Sequence, residues 1–107
     1  MITVTIYKTH AGEIVGFESK GHAGFARFGK DIVCASVSAL VINTINAIEQ
    51  FTDVEFEGKA DNKAAVISMK VSQNSSESLV LLQALELGLT TIMKDNPKYI
   101  SITFEEV

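Results

Sequence analysis

One cysteine stands in this 107-residue chain, Cys34, and His22 precedes it by twelve residues. Cys34 lies in Gly-Lys-Asp-Ile-Val-Cys-Ala-Ser (residues 29–36) and His22 in Gly-His-Ala (residues 21–23). A glycine-bearing loop separates them, and an apolar helix is expected to begin near Cys34. That layout would set a thiol at a helix N-terminus with an imidazole folding back over it. A thiol is mostly protonated at neutral pH, and these two devices favour the thiolate nucleophile. Gly21 and Gly24 would let the backbone return to the same sheet edge. Backbone amides at the helix start, that of Cys34 included, would then hold an oxyanion, as in acyl transfer.

Each residue also has a plainer reading. Free cysteines commonly pack as small buried hydrophobes. A lone histidine before a loop often serves as a hydrogen-bonded structural group; His10, on a hairpin turn, is the weaker candidate. Asp31 is the natural N-cap of the coming helix, which would make Cys34 residue N3. Its carboxylate would alternatively orient His22. Phe25 and Phe28 would line a substrate groove or anchor the loop to the core. Ser36 and Ser38 read as packing or surface residues. The sequence leaves these pairs of readings open.

One motif misleads. Residues 24–30 match the first seven positions of the phosphate-binding loop Gly-x-x-x-x-Gly-Lys. The next position needs a hydroxyl for magnesium but holds Asp31, and the surrounding strands read as hairpins. No Cys/His/Asp set has metal-ligand spacing. The chemistry above calls for neither metal nor cofactor.

The elements that must carry these residues follow from periodicity. Ile2, Val4 and Ile6 alternate with Thr3, Thr5 and Tyr7, a strand. A turn at residues 10–13 leads to Val15 and Phe17, the second half of a hairpin. Residues 21–30 break the pattern, and a loop this long in a small domain usually has a function. Val37, Leu40, Val41, Ile45, Ile48 and Phe51 then mark one face of a helix. Ala35, Ala39 and Ile42 mark a second, smaller face. Val54 and Phe56, a turn at residues 60–63, and Ala65, Ile67, Met69 and Val71 read as a second hairpin. Residues 74–77 read as a capping-box variant. Leu79, Leu82, Leu85, Leu89 and Ile92 follow on a helix that ends at Asn96-Pro97. Ile100, Ile102 and Phe104 close with a strand. The order is strand, strand, helix, strand, strand, helix, strand. This is an α+β fold with two helices on one face of a mixed or antiparallel sheet, and residues 1–107 form one domain.

Composition narrows the partners. Thirteen acidic against nine basic residues give a net charge of -4, which disfavours a nucleic-acid backbone, since the basic residues form no dense run. Glu55, Glu57, Glu105 and Glu106 read as a solvated sheet surface. A single cysteine cannot form an internal disulfide, which points to a reducing cytoplasm. The N-terminus alternates like a strand and lacks a signal-peptide layout. No uninterrupted apolar run approaches the roughly 18 residues of a membrane span. The high apolar content and the Ala35, Ala39, Ile42 face suggest a homodimer.

Gly21-His22-Ala23, the glycine-bearing loop, residues 31–35 and the following Ser38 together resemble the ribosomal-processing cysteine protease family, Prp. Length, element order and the lone cysteine agree along the whole chain. The resemblance implies a small bacterial homodimer that removes the N-terminal extension of a large-subunit ribosomal protein (L-twenty-seven). It implies His22 as base, Cys34 as nucleophile, and Asp31 as a further member of the motif. The loop at residues 24–29 would reorder on binding the precursor peptide. A reading from another class is a non-catalytic, ribosome-associated binding module with a structural cysteine. A redox sensor is a third, though the chain has no second cysteine to resolve a sulfenic acid.

Overall fold

A computed structural model describes residues 1–21 and 30–107, with the backbone alone for residues 30 and 31. The elements are β1 (Ile2–Lys8), β2 (Ile14–Lys20), α1 (Lys30–Phe51), β3 (Phe56–Asp61), β4 (Val66–Val71), α2 (Ser76–Asp95) and β5 (Ile100–Glu106). The order matches the one read from hydrophobic period. The strands form one sheet in the order β3-β4-β2-β1-β5. β5 runs parallel to β1, with Ile2 opposite Ile100. The other pairings are antiparallel.

Both helices pack on one face. Ile2, Val4, Ile6, Phe17, Met69, Val71 and Ile100 from the sheet share a buried core with Val33, Val37, Val41 and Ile48 of α1 and Leu82, Leu85 and Leu89 of α2. Each such side chain contributes about 1.5–3 kcal/mol on full burial. Register keeps the set in phase: Ile6 lies opposite Phe17, and Phe17 opposite Met69. The two helices approach closely at Gly88, where a Cβ would lie 2.9 Å from Leu40 Cδ1. The opposite sheet face carries Thr3, Thr5, Glu18, Lys20, Ser68 and Lys70, a polar surface suited to water. Glu55, Glu57, Glu105 and Glu106 are exposed, as expected.

Local details depart from the sequence reading. The capping box lies one residue later. Ser75 is the N-cap, its hydroxyl accepting from the Ser78 amide while Ser78 Oγ accepts from the Ser75 amide. Asn74 instead bridges elements. Its Nδ2 donates to the Ile14 carbonyl at 2.7 Å and its Oδ1 accepts from Ser78 Oγ at 2.8 Å. β3 runs on to Asp61, which moves the second hairpin's turn to residues 62–65. Phe51 is 74% exposed, not part of the core face. A helix of 22 residues is about 33 Å long, so its end overhangs strands of about 23 Å.

α1 also departs in its apolarity. Residues 32–51 are long and apolar enough to cross a membrane by length and composition, although polar residues interrupt the run. Here Val33, Val37, Val41 and Ile48 face the sheet, the placement of a core helix.

At one margin, Lys8 joins three elements. Its Nζ lies 3.1 Å from Glu86 Oε1 on α2 and 4.7 Å from the Phe104 ring centroid on β5. Beside it, burial and then the Glu18 and Glu105 carboxylates raise the Tyr7 phenol above its usual 10.0. The fold therefore holds this proton more tightly than the unfolded chain does. The corresponding stability is fully present below pH 10 and is lost as pH rises through the folded value. Alkaline denaturation should show this loss, and Tyr7→Phe should remove that component. Asn74→Ala removes the side-chain donor to the Ile14 carbonyl and one of several partners of the Ser78 hydroxyl. It should cost about 1–3 kcal/mol in urea unfolding.

Candidate active site

Three stretches of backbone converge at one end of the sheet. β2 ends at Lys20, and Gly21 follows with φ +95°, a conformation glycine adopts without strain. The Gly21 amide donates to the Ala65 carbonyl at 2.9 Å, tying it to the β3–β4 turn. On its other side a Cβ would lie 2.7 Å from the Met1 carbonyl oxygen, so a side chain has no room. Glycine is needed here on both counts. The chain is pinned at the residue immediately before His22.

α1 begins beside this junction. Lys30 is its first residue, so Asp31 lies within the first turn and is not the cap. The expectation of an Asp31 cap placed the helix start two residues too late. Cys34 is accordingly the fifth helical residue. Its amide lies beyond the first described turn and belongs to the intrahelical ladder. The oxyanion donors expected from sequence therefore move one turn toward the N-terminus. The Cys34 side chain is half-buried and packs against the core cluster.

Cys34 and Gly21 line the same cavity, of about 180 Å³. Ile2, Val37 and Ile67 supply apolar wall, and Ser19, Ser38, Asp61 and Asn62 bring polar groups to it. Asp61 is held by its turn, Oδ1 accepting from the amides of Lys63 at 3.0 Å and Ala64 at 3.1 Å. Ser36 faces away from this chemistry, its hydroxyl donating to the Ile32 carbonyl at 2.8 Å.

Of the residues singled out by sequence, Gly21 and Cys34 are thus brought together. His22, Phe25, Phe28 and the loop at residues 24–29 lie outside the described residues, as does the Asp31 side chain. Sequence reasoning missed Ser19, Asp61 and Asn62; Ser38, read as a packing or surface residue, is exposed and also borders the cavity. Ser19 left one usable signal: it is a hydroxyl in the inward phase of β2, two residues after the buried Phe17. Asp61 and Asn62 left none, because only tertiary folding brings their hairpin to α1.

Comparison with known proteins gives a consistent result. The family model for cysteine protease Prp matches residues 1–101. The ribosomal processing cysteine protease Prp of Staphylococcus aureus is 30% identical over 109 residues, covering 98% of this chain and all of that protein. The crystal structure of the S. aureus protease with a substrate peptide superposes with a TM-score of 0.91 at 27% identity, covering 98% of this chain and all of that one. The structure carrying a covalently linked product peptide superposes with a TM-score of 0.90 at 28% identity, with the same coverage.

Gly21→Ala adds a methyl group against the Met1 carbonyl in a backbone region that alanine rarely adopts. It should cost on the order of 1–3 kcal/mol, read as a lowered urea midpoint.

Proposed function

The chain belongs to the cysteine protease Prp family, and we infer that it is an endopeptidase that removes the N-terminal extension of a ribosomal protein, with the L-twenty-seven precursor as substrate. The observation that carries this reading is the shared cavity of Cys34 and Gly21, which sets the thiol beside the residue joined to His22. The peptide complexes of the S. aureus relative support an extended peptide as the substrate class.

In this mechanism Cys34 Sγ attacks the scissile carbonyl carbon. His22 takes the thiol proton and delivers it to the leaving amine. The tetrahedral oxyanion is held by first-turn amides of α1, where backbone donors and the helix dipole favour negative charge. The acyl-enzyme thioester is then hydrolysed by water, with His22 again as base. Gly21 and Cys34 start from rigid elements, the end of β2 and the second turn of α1, so the dyad needs few mobile parts. Phe25 and Phe28 meet apolar side chains of the peptide, and Asp31 supports the motif from the first turn. A reducing cytoplasm keeps the thiol available.

The working form is a homodimer joined along α1. The helix exposes Ile32 at 65% and Ile42 at 46%, with Ala35 and Ala39 also exposed between them. Small residues flanked by isoleucines allow two helices to approach and bury apolar surface.

Incubation with the extended precursor tests the reading. Cys34→Ala should lower cleavage by at least about 10³-fold with the fold intact by circular dichroism. Retained cleavage would remove Cys34 from the mechanism. His22→Ala should slow alkylation of Cys34 by iodoacetamide near neutral pH by about 100-fold, the lower range of general-base effects. An unchanged pH profile of alkylation would show that the dyad does not form. Ile42→Glu should shift the mass in light scattering from dimer to monomer.

A further inference from the structure

The turn between β3 and β4 holds an unusual backbone. Among the described residues Ala65 is the only non-glycine with a positive φ, +54°. Glycine takes that conformation freely, whereas alanine keeps it only where its surroundings impose it. Two constraints do so here. Upstream, Asp61 Oδ1 accepts from the amides of Lys63 and Ala64, which fixes the first part of the turn. Downstream, Val66 is held in the sheet between Asp61 and Lys20. Ala65 joins these two fixed parts. The consequence reaches the neighbouring strand. Lys20 opposite Val66 is the last pair of the β2–β4 ladder, and the Ala65 carbonyl adds one bond beyond it, accepting from the Gly21 amide at 2.9 Å. Gly21 is the residue joined to His22.

We propose that Asp61 is a positioning residue for the reaction at Cys34, acting through main chain: its carboxylate fixes the turn, the turn holds Ala65, and the Ala65 carbonyl holds the Gly21 backbone from which His22 follows. The inference rests on His22 serving as base for Cys34. What the turn requires of Asp61 is an acceptor oxygen, not a charge and not a contact with the peptide. Without the bonds to Lys63 and Ala64, Ala65 relaxes toward negative φ, and its carbonyl moves away from the Gly21 amide. A shift of about 1 Å far from the reacting atoms is enough to slow catalysis about 100-fold.

Amide exchange and kinetics test this together. In Asp61→Ala, exchange of the Gly21 amide followed by NMR should speed up at least about tenfold, while the β1 amides stay protected. The same variant should lower kcat on the extended precursor by about 10–100-fold with KM little changed. Alkylation of Cys34 near neutral pH should slow with it. Asp61→Asn keeps the acceptor oxygen and should restore all three readouts. Adding Ala65→Gly to Asp61→Ala supplies a residue that holds positive φ by itself. It should recover part of the lost kcat, a gain that general damage to the fold would not give. Unchanged kcat in Asp61→Ala, or a fall in kcat with Gly21 exchange unaltered, would overturn the positioning role while leaving the protease reading intact. Asp61→Asn behaving like Asp61→Ala would do the same, since the charge would then be what matters. If wild type does not cleave the precursor, the protease reading falls and the positioning role with it.

Discussion

The structure depends on the apolar seam between α1 and the sheet. Val33, Val37, Val41 and Ile48 repeat along one side of the helix and are locked onto strands whose inward side chains are almost all aliphatic. Ordering each backbone residue costs about 1–2 kcal/mol, and a single apolar helix in water does not recover that by itself. Packing on the sheet supplies the difference. It also determines where the thiol goes. Cys34 follows Val33 by one residue, about 100° around the helix, which puts it at the margin of the buried stripe. The side chain is thus partly covered by core and partly open to a cavity.

The same end of the molecule is secured from below by main chain. Gly21 sits between the Met1 carbonyl and the Ala65 carbonyl, without room for a side chain. The first strand, the end of the second and the turn of the second hairpin therefore meet at one point. Residues remote in sequence, such as Ile2, Ser19 and Asp61, become neighbours of one thiol through this junction. α2 and its Ser75–Ser78 cap take no part in the cavity. They pack beside α1 on the same sheet face, with Asn74 linking the helix start to the beginning of β2. One face of the sheet is left polar, while α1 keeps isoleucines exposed on its outer side.

Much of this was legible in the residues alone. Period-two and period-3.6 patterns are local, and each apolar residue reports its own direction. Element order, the two-layer arrangement and most of the core followed from Ile2, Val4 and Ile6 and from Val37, Val41 and Ile48. Errors fell where a terminus is decided by competition among neighbouring caps. Serine, asparagine and aspartate all satisfy helix amides, so Asn74 and Ser75 differ by little in isolation. The buried contacts of Ser78 and Asn74 break that tie at α2. Phe51 went wrong because helical phase says nothing about where the sheet beneath it stops.

The chain by itself determined which residues carry reactive groups, which faces are apolar and in what order the elements occur, since these depend on side-chain identity and short-range spacing. Tertiary structure alone decided that Ser19, Asp61 and Asn62 share a cavity with Cys34. That depends on strand register and on the meeting of segments remote in sequence, and no short-range pattern encodes either.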